Sequence, residues 1–334
     1  MILDVGGFLL CSLFIFFHGK KLSYYGDLIS IKSGLGKVWV GLILMASVTS
    51  LPELVIGISS VTVVGSADLA VGNVLGSCIF NLTILTLLDA IMPGEPILTR
   101  VAKSNVLAAT LGSILIGFVG IGLFLSDEIR ILNWIGITSL AFLITYLISM
   151  RLLYTHGLRE NALVLKNAEV VEDTIQQKLS SIIMWYALHA GIVVVAALVL
   201  PYFSEQIAIK TGIGESFMGT LFLAASSSLP EIAVSIGAAR LGNADMAVGN
   251  LFGSNIFNVM LLTISDLFYT QGNILKDASE SHMITVFAII TMNSIAITGL
   301  TMRPPKKEFR FLAWDTLLIL IIYVATMLYL FFRQ

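Results

Sequence analysis

Long apolar stretches separated by short charged loops run along the whole chain. Ten of these stretches contain almost no charge, and each approaches or exceeds the about 20 residues that an α-helix needs to cross a bilayer. The sequence therefore predicts an all-α integral membrane protein. The ten predicted membrane spans are residues 3–19, 38–62, 68–89, 103–126, 130–151, 179–201, 214–238, 245–267, 282–302 and 311–332.

The composition supports a membrane protein. Of the 334 residues, 57% are hydrophobic and 12% are charged, whereas a soluble domain carries about 25% charged residues. The mean hydropathy is +0.94. A formal net charge of −2 does not favour a nucleic-acid partner. The expected surroundings are the lipid bilayer, and no obligatory protein partner is evident from the sequence.

The basic residues are distributed unevenly among the predicted loops. Fifteen of the 19 Lys and Arg residues lie in the loops that follow the first, third, fifth, seventh and ninth spans. Loops rich in Lys and Arg stay on the cytoplasmic side of a membrane. We therefore expect a multi-pass protein of the cell (inner) membrane with both termini outside the cytoplasm.

The two halves of the chain share a repeated motif. Residues 46–54 read ASVTSLPEL, and residues 224–232 read AASSSLPEI, 178 positions later. Each half contains five of the ten predicted spans. Because five is an odd number, the second half should cross the membrane upside down relative to the first. The predicted fold is thus two inverted five-helix repeats. The predicted divisions are the halves 1–151 and 179–334, the cytoplasmic linker 152–178, and the matching segments 38–89 and 214–267.

Each repeated motif places a proline inside an apolar span, at Pro52 and Pro230. Proline lacks the N–H of a helical residue and clashes with the carbonyl four residues earlier. We therefore expect interrupted helices that open around Val48 and Ser226. Irregular backbone at membrane depth is tolerated only where it is buried in protein or lines a cavity. The interruptions therefore indicate a site.

A glutamate follows each proline directly, at Glu53 and Glu231. A charge at the bilayer centre costs about 2.5 to 3.5 kcal/mol, so two carboxylates there indicate a cation site. Oxygen ligands favour Ca²⁺ and Na⁺ over zinc or copper. Two carboxylates neutralise one Ca²⁺ or two Na⁺, so these ions would compete for the site. The hydroxyl and amide oxygens expected nearby belong to Thr49, Ser50, Ser77, Asn81, Ser227, Ser228, Ser254 and Asn258.

The span after each motif carries three polar residues at spacing i, i+4, i+8, which places them on one helix face. Pairs of glycines beside these faces should let a neighbouring helix approach closely. Asp68 and Asp245 stand where these spans begin, and we interpret them as helix N-caps rather than ion ligands. The polar trios are Asn73, Ser77, Asn81 and Asn250, Ser254, Asn258, and the glycines are Gly72, Gly76, Gly249 and Gly253.

These segments resemble the paired alpha-repeats of the calcium/cation antiporter superfamily, and are most similar to its prokaryotic sodium/calcium exchangers. The signatures are TSLPE at 49–53 with GNVLGSCIFN at 72–81, and SSLPE at 227–231 with GNLFGSNIFN at 249–258. The resemblance implies that the first and sixth spans slide over the other eight. It also implies a Ca²⁺ site at Thr49, Glu53, Ser227 and Glu231, and Na⁺ sites that share these residues with Ser50, Ser77, Asn81, Ser228, Ser254 and Asn258.

Two departures from that family pattern concern the site. Glycine usually stands where this chain has Val48 and Ser226, and several relatives carry aspartate where this chain has Asn258. Loss of that carboxylate removes a titratable group, which argues against proton or potassium involvement.

The predicted function is exchange of Na⁺ for Ca²⁺ by alternating access, without a cofactor. The alternative is exchange of H⁺ for Ca²⁺ or another divalent cation on the same fold. A passive cation channel is a more distant alternative. An enzyme is not expected, because no nucleophile, base and orienting group share a plausible site.

Overall fold

The computed structural model describes residues 1–124, 130–131, 135–167, 177–211, 225–309 and 311–333. Helices account for most of this part of the chain. Two of them, α2 and α3, contain π-helical turns at Val40–Met45 and Ser60–Val64. The helices are α1 Ile2–Ser33, α2 Lys37–Thr49, α3 Leu51–Val64, α4 Ala67–Ile91, α5 Ser104–Phe124, α6 Ile137–Asn167, α7 Leu179–Thr211, α8 Leu229–Arg240, α9 Ala244–Phe268, α10 His282–Met302 and α11 Trp314–Arg333.

The number of membrane-spanning helices agrees with the predicted helical membrane fold. Eight described helices are long and apolar enough to cross a membrane, and the number is nine if α2 and α3, which bend by 40° at their junction, count as one span. The remaining predicted span, 214–238, contains α8, and its first part lies outside the described residues. Helices α1 and α7 have 32 and 33 residues. At a length of about 48 Å they exceed the roughly 30 Å hydrocarbon core.

The fifth predicted span, 130–151, differs most from the structure. Its first residues form two short antiparallel strands, β1 Arg130–Ile131 and β2 Ile135–Gly136, and α6 begins only after them. The helix then continues through residues 152–167 of the predicted linker. That segment reads LLYTHGLRENALVLKN, contains no proline and is rich in good helix formers. Charge alone therefore did not mark the end of the helix.

The Asp89 carboxylate holds the end of α4 to the second half of the chain. Its Oδ1 accepts a hydrogen bond from the Ile97 N–H at 2.9 Å, and its Oδ2 accepts from the Ala313 N–H at 2.8 Å. The Thr316 hydroxyl also donates to Oδ2, at 2.8 Å. Lys307 lies 3.3 Å from Oδ1. The hydrogen-bonding capacity of this buried carboxylate is therefore satisfied by groups of both halves.

The Asp266 carboxylate does the same for the end of α9. It accepts from the Ile274 N–H and the Gly136 N–H, each at 3.0 Å, and from the Ser139 hydroxyl at 2.6 Å. The two sets of residues correspond pairwise, and the members of each pair are 177 positions apart. The pairs are Asp89 and Asp266, Ile97 and Ile274, Gly136 and Ala313, and Ser139 and Thr316. The same contacts thus occur twice with the two halves exchanged, as an inverted repeat requires. This arrangement confirms the predicted repeat architecture.

Asp68 and Asp245 are not N-caps, so that prediction is wrong. Ser66 caps α4, since its hydroxyl accepts the Leu69 N–H at 3.2 Å. The Asp68 carboxylate instead accepts the Ser279 N–H at 2.8 Å and contacts His282 Nε2 at 2.9 Å.

The Asp245 carboxylate accepts the Ala102 N–H at 2.6 Å and the Asn105 amide at 3.3 Å. Ala102 and Asn105 stand 177 positions before Ser279 and His282, which are the partners of Asp68. Both aspartates stand in the first turn rather than before it, where their side chains reach the start of α10 and of α5, respectively, in the opposite half.

Glycines let α9 pack directly against the backbone of α2. A Cβ atom added at Gly253 would overlap the Leu42 carbonyl group, and one added at Gly249 would lie 3.1 Å from the Val38 oxygen. Gly41 approaches α9 in return, since its added Cβ would lie 2.6 Å from the Met246 oxygen. The predicted close approach at the second pair of glycines is therefore confirmed.

The first pair of glycines differs. A Cβ atom added at Gly72 would lie 3.2 Å from His282 Cε1, and one added at Gly76 would meet no described atom within 4 Å. The segment related by the repeat to residues 38–42 is 216–220, which lies outside the described residues. The prediction for Gly72 and Gly76 therefore stays a prediction.

Gly253→Ala should destabilise the protein, because the added methyl group forces α2 and α9 apart. Overpacking of this kind costs about 1 to 3 kcal/mol. Gly117→Ala on α5 is the matched control, since a Cβ atom there meets nothing within 4 Å among the described residues. The measurement is the melting temperature of the detergent-purified protein without added cations. Equal melting temperatures for the two variants would contradict the close packing.

Candidate cation site

Two helix breaks with the same backbone conformation bring the two halves together. Ser50, between α2 and α3, has φ −91° and ψ 6°. Ser228, directly before α8, has φ −91° and ψ 10°. The Ser50 and Ser228 carbonyl groups each accept the N–H four residues later, at 3.3 and 3.2 Å. Each break is therefore one residue long, and a new half-helix starts directly after it.

The breaks lie two residues later than predicted. At the expected position, Val48, the chain is still helical, and the Ser50 N–H donates to the Ala46 oxygen at 3.0 Å. Ser226 is helical as well. The reason is that proline is well tolerated in the first turn of a helix, where its missing N–H is not needed. Each proline therefore begins the second half-helix instead of opening the first one.

Glu53 and Glu231 lie in the first turns of α3 and α8, and both are buried, with 0% and 1% of their surface exposed. The Ser77 hydroxyl of α4 donates to Glu53 Oε1 at 3.4 Å. The Ser50 hydroxyl donates to Glu231 Oε1 at 3.4 Å, so the break of the first half contacts the glutamate of the second. The N-terminal end of a helix also stabilises a nearby negative charge.

Four buried oxygen atoms at this site have no hydrogen-bond partner among the described residues. They are the Oε2 atoms of Glu53 and Glu231 and the Oδ1 atoms of Asn81 and Asn258. More than about 90% of buried polar groups in proteins are hydrogen-bonded, so each exception needs a reason. Carboxylate and amide oxygens without partners are what a hard cation such as Ca²⁺ coordinates. We interpret the four atoms as cation ligands.

Further contacts across the two halves involve Thr49. Its hydroxyl lies 3.3 Å from the Ser254 hydroxyl and 3.5 Å from the Asn250 Oδ1. Thr49 and Ser254 are both fully buried. Residues from the last turn of α2 and from α9 therefore meet beside the two glutamates.

All ten predicted ligands lie among the described residues and are buried. Hydrogen bonds join three pairs of them, namely Ser50 with Glu231, Ser77 with Glu53, and Thr49 with Ser254. Ser227 and Ser228 stand at the second break, directly before α8. Asn81 and Asn258 lie one turn beyond Ser77 and Ser254 on their helices, as the spacing predicts.

Asn255 is a residue that the sequence analysis did not single out. It lies on α9, and its side chain contacts α4 at two points, the Asn81 amide and the Cys78 carbonyl group. One sequence feature could have pointed to Asn255. The two matching runs, 72–81 and 249–258, differ at this position, where the first run has Cys78 and the second has Asn255. A search for matched polar residues passes over a position that differs between the repeats.

Known proteins resemble this chain along most of its length. The family profile described as sodium/calcium exchanger protein matches residues 3–154 and 180–332. The inner membrane protein YrbG of Escherichia coli K12 is 27% identical over 262 residues, which are 78% of this chain and 78% of YrbG. The sodium/calcium exchanger MaX1 of Methanosarcina acetivorans is 33% identical over 135 residues, 39% of this chain and 36% of MaX1.

A solved structure shares the fold of this chain. It is the sodium-calcium exchanger NCX_Mj soaked with 10 mM Na⁺ and zero Ca²⁺, which matches with a TM-score of 0.75 at 21% sequence identity. The match covers 98% of each chain. A likeness of this extent confirms the predicted helical membrane architecture.

Glu53→Gln and Glu231→Gln should each abolish the stabilisation of the protein by Ca²⁺. A ligand present at about 100 times its Kd stabilises a protein by roughly 2.7 kcal/mol, and each variant removes a charged ligand. Without divalent cations the variants should melt no lower than wild type, because glutamine removes a buried charge. The measurement is the melting temperature with and without Ca²⁺.

Glu95→Gln is the matched control for these variants, because Glu95 is an exposed carboxylate in the loop after α4. It should keep the full Ca²⁺-dependent shift. A normal shift in either buried-glutamate variant would contradict the assignment of the site.

Proposed function

Because the chain belongs to the sodium/calcium exchanger protein family, we propose that it exchanges Na⁺ for Ca²⁺ across a membrane, with Glu53 and Glu231 as ligands shared by both ions. It is a membrane transporter and not an enzyme. The observation that carries the proposal is a pair of buried Oε2 atoms, one from each half and each beside a helix break, that have no hydrogen-bond partner among the described residues.

Charge balance supports competition between the two ions. A buried carboxylate without a counter-charge is destabilising by several kcal/mol, and the Glu53 and Glu231 side chains lie within electrostatic range of each other. One Ca²⁺ or two Na⁺ would neutralise both. A site with either ion is neutral, whereas two ionised carboxylates without a bound cation would be uncompensated. The carrier should therefore change its access state mainly when it is loaded, which couples the two fluxes.

The ligand chemistry supports the same ions. In the proposal, Ca²⁺ binds the two glutamates together with Thr49 and Ser227. Na⁺ ions share these ligands and use further hydroxyl and amide oxygens. Ca²⁺ accepts six to eight oxygen ligands in irregular geometry, so a site built from two helix breaks suits it. The further Na⁺ ligands are Ser50, Ser77, Asn81, Ser228, Ser254 and Asn258.

Alternating access is proposed to arise from movement of α1 and α7 over the other helices. Lys210 near the end of α7 pairs with Asp4 at the start of α1, at 2.7 Å, which supports their moving together. Helix α1 meets α8 through small residues, since a Cβ atom at Gly19 would lie 3.1 Å from the Ala233 Cβ. Small surfaces allow helices to slide past each other. A shift of α1 along α8 would change access to Glu231, which lies in the first turn of that helix.

The proposal includes the placement of the chain in the membrane. The excess of Lys and Arg in alternate loops supports both termini lying outside the cytoplasm in a cell (inner) membrane. The division into the repeats 1–151 and 179–334, with 152–178 between them, belongs to the same proposal.

The test is transport in proteoliposomes that contain the purified protein. Vesicles loaded with Na⁺ and diluted into Na⁺-free buffer should accumulate labelled Ca²⁺, because outward Na⁺ flux drives Ca²⁺ inward. Vesicles with equal Na⁺ on both sides, and vesicles with a pH gradient but no Na⁺, should not accumulate it. Glu53→Gln vesicles under the outward Na⁺ gradient are the matched negative control.

Each contrary outcome has a distinct meaning. Uptake driven by the pH gradient alone would replace Na⁺ coupling with proton coupling at the same glutamates. Ca²⁺ equilibration without any gradient of a second ion would indicate a passive pathway. Equal uptake by wild type and Glu53→Gln would remove the glutamate from the transport path.

A further inference from the structure

Asn255 contacts two groups on α4 at once. Its side chain is 2% exposed. Its Nδ2 donates to the carbonyl oxygen of Cys78 at 3.2 Å, and its Oδ1 accepts from Asn81 Nδ2 at 3.1 Å. Cys78 and Asn255 are 177 positions apart and stand at equivalent places in the two repeats. The contact therefore lies where α4 and α9 cross each other between the two halves.

These two hydrogen bonds fix the orientation of both amide groups. A backbone carbonyl can only accept, so the Asn255 atom that faces Cys78 must be the NH₂ nitrogen. The Asn255 oxygen then faces Asn81. Since that oxygen also can only accept, the Asn81 atom that meets it must be the NH₂ nitrogen. The Asn81 Oδ1 is thereby turned away from Asn255, and it is one of the buried oxygens that have no hydrogen-bond partner among the described residues.

We propose that Asn255 is a positioning residue that presents the Asn81 oxygen to the bound cation; this inference rests on the proposed function. An unrestrained amide could turn either its oxygen or its NH₂ group towards the ion, and the NH₂ group would repel a cation. Asn255 excludes the unfavourable orientation before the ion arrives. Preorganisation of this kind improves affinity because the ion does not have to order the ligand.

The equivalent position in the other repeat has no amide side chain. The counterpart of Asn255 is Cys78, and the Cys78 thiol is a neighbour of the Asn258 side chain. A thiol is only a weak hydrogen-bonding group and cannot select one face of an amide. Neither amide atom of Asn258 has a hydrogen-bond partner among the described residues. The two asparagines therefore differ in their neighbour, which is an amide of fixed orientation for Asn81 and a thiol for Asn258.

The test is a double-mutant cycle measured as the Na⁺ dependence of Ca²⁺ transport in proteoliposomes. Asn255→Leu keeps the side-chain volume but removes both hydrogen bonds. It should raise the half-saturating Na⁺ concentration on the order of tenfold, and we expect the same of Asn81→Ala, since about 1.4 kcal/mol of lost interaction is a factor of ten. The Asn81→Ala/Asn255→Leu double variant should be no worse than Asn81→Ala alone, because Asn255 acts only through Asn81.

Thr263→Val is the control for a loss of packing or stability. It removes another buried hydrogen bond of α9, from the Thr263 hydroxyl to the Ser139 oxygen at 3.2 Å, and should leave the half-saturating Na⁺ concentration unchanged. Additive losses in the double variant, or a normal Na⁺ dependence in Asn255→Leu when Asn81→Ala is impaired, would overturn the inference. Absence of Na⁺-dependent transport by wild type would instead overturn the proposed function.

Discussion

The structure depends on two carboxylates that are buried without enough partners. Glu53 and Glu231 each use one oxygen in a hydrogen bond to a serine, and the other oxygen has no partner in the part of the chain that the structure describes. An ionised carboxylate in a membrane interior is costly unless a cation pairs with it. The one-residue breaks at Ser50 and Ser228 place a helix N-terminus at each carboxylate. The surrounding helices keep these positions fixed.

The inverted repeat explains how that arrangement is held. Carboxylates at the ends of α4 and α9, Asp89 and Asp266, bind backbone and hydroxyl groups of the last helix in the opposite half. Asp68 and Asp245 do the same with the loops before α10 and α5. These contacts join the halves around the crossing of α4 and α9. The symmetry is not complete, because the Asn255 amide meets Asn81 at the position where the other half has the Cys78 thiol.

The sequence predicted the fold class, the repeat and the buried glutamates, because each can be recognised from the order of residues alone. The signals were the length of the apolar stretches, the matched motif and a charged residue inside an apolar run. It misplaced the helix breaks by two residues, since proline fits the turn that it begins. It assigned Asp68 and Asp245 to local caps because their partners lie more than 100 residues away. Asn255 was missed because its role depends on which atom of a distant amide it meets.

The most direct test of shared ligands is equilibrium binding of labelled Ca²⁺ to the purified protein at increasing Na⁺ concentrations. If both ions use Glu53 and Glu231, Na⁺ should raise the apparent Kd for Ca²⁺ and leave the binding capacity unchanged. Ca²⁺ binding that is insensitive to Na⁺, or a capacity that falls while the Kd stays constant, would contradict a common site.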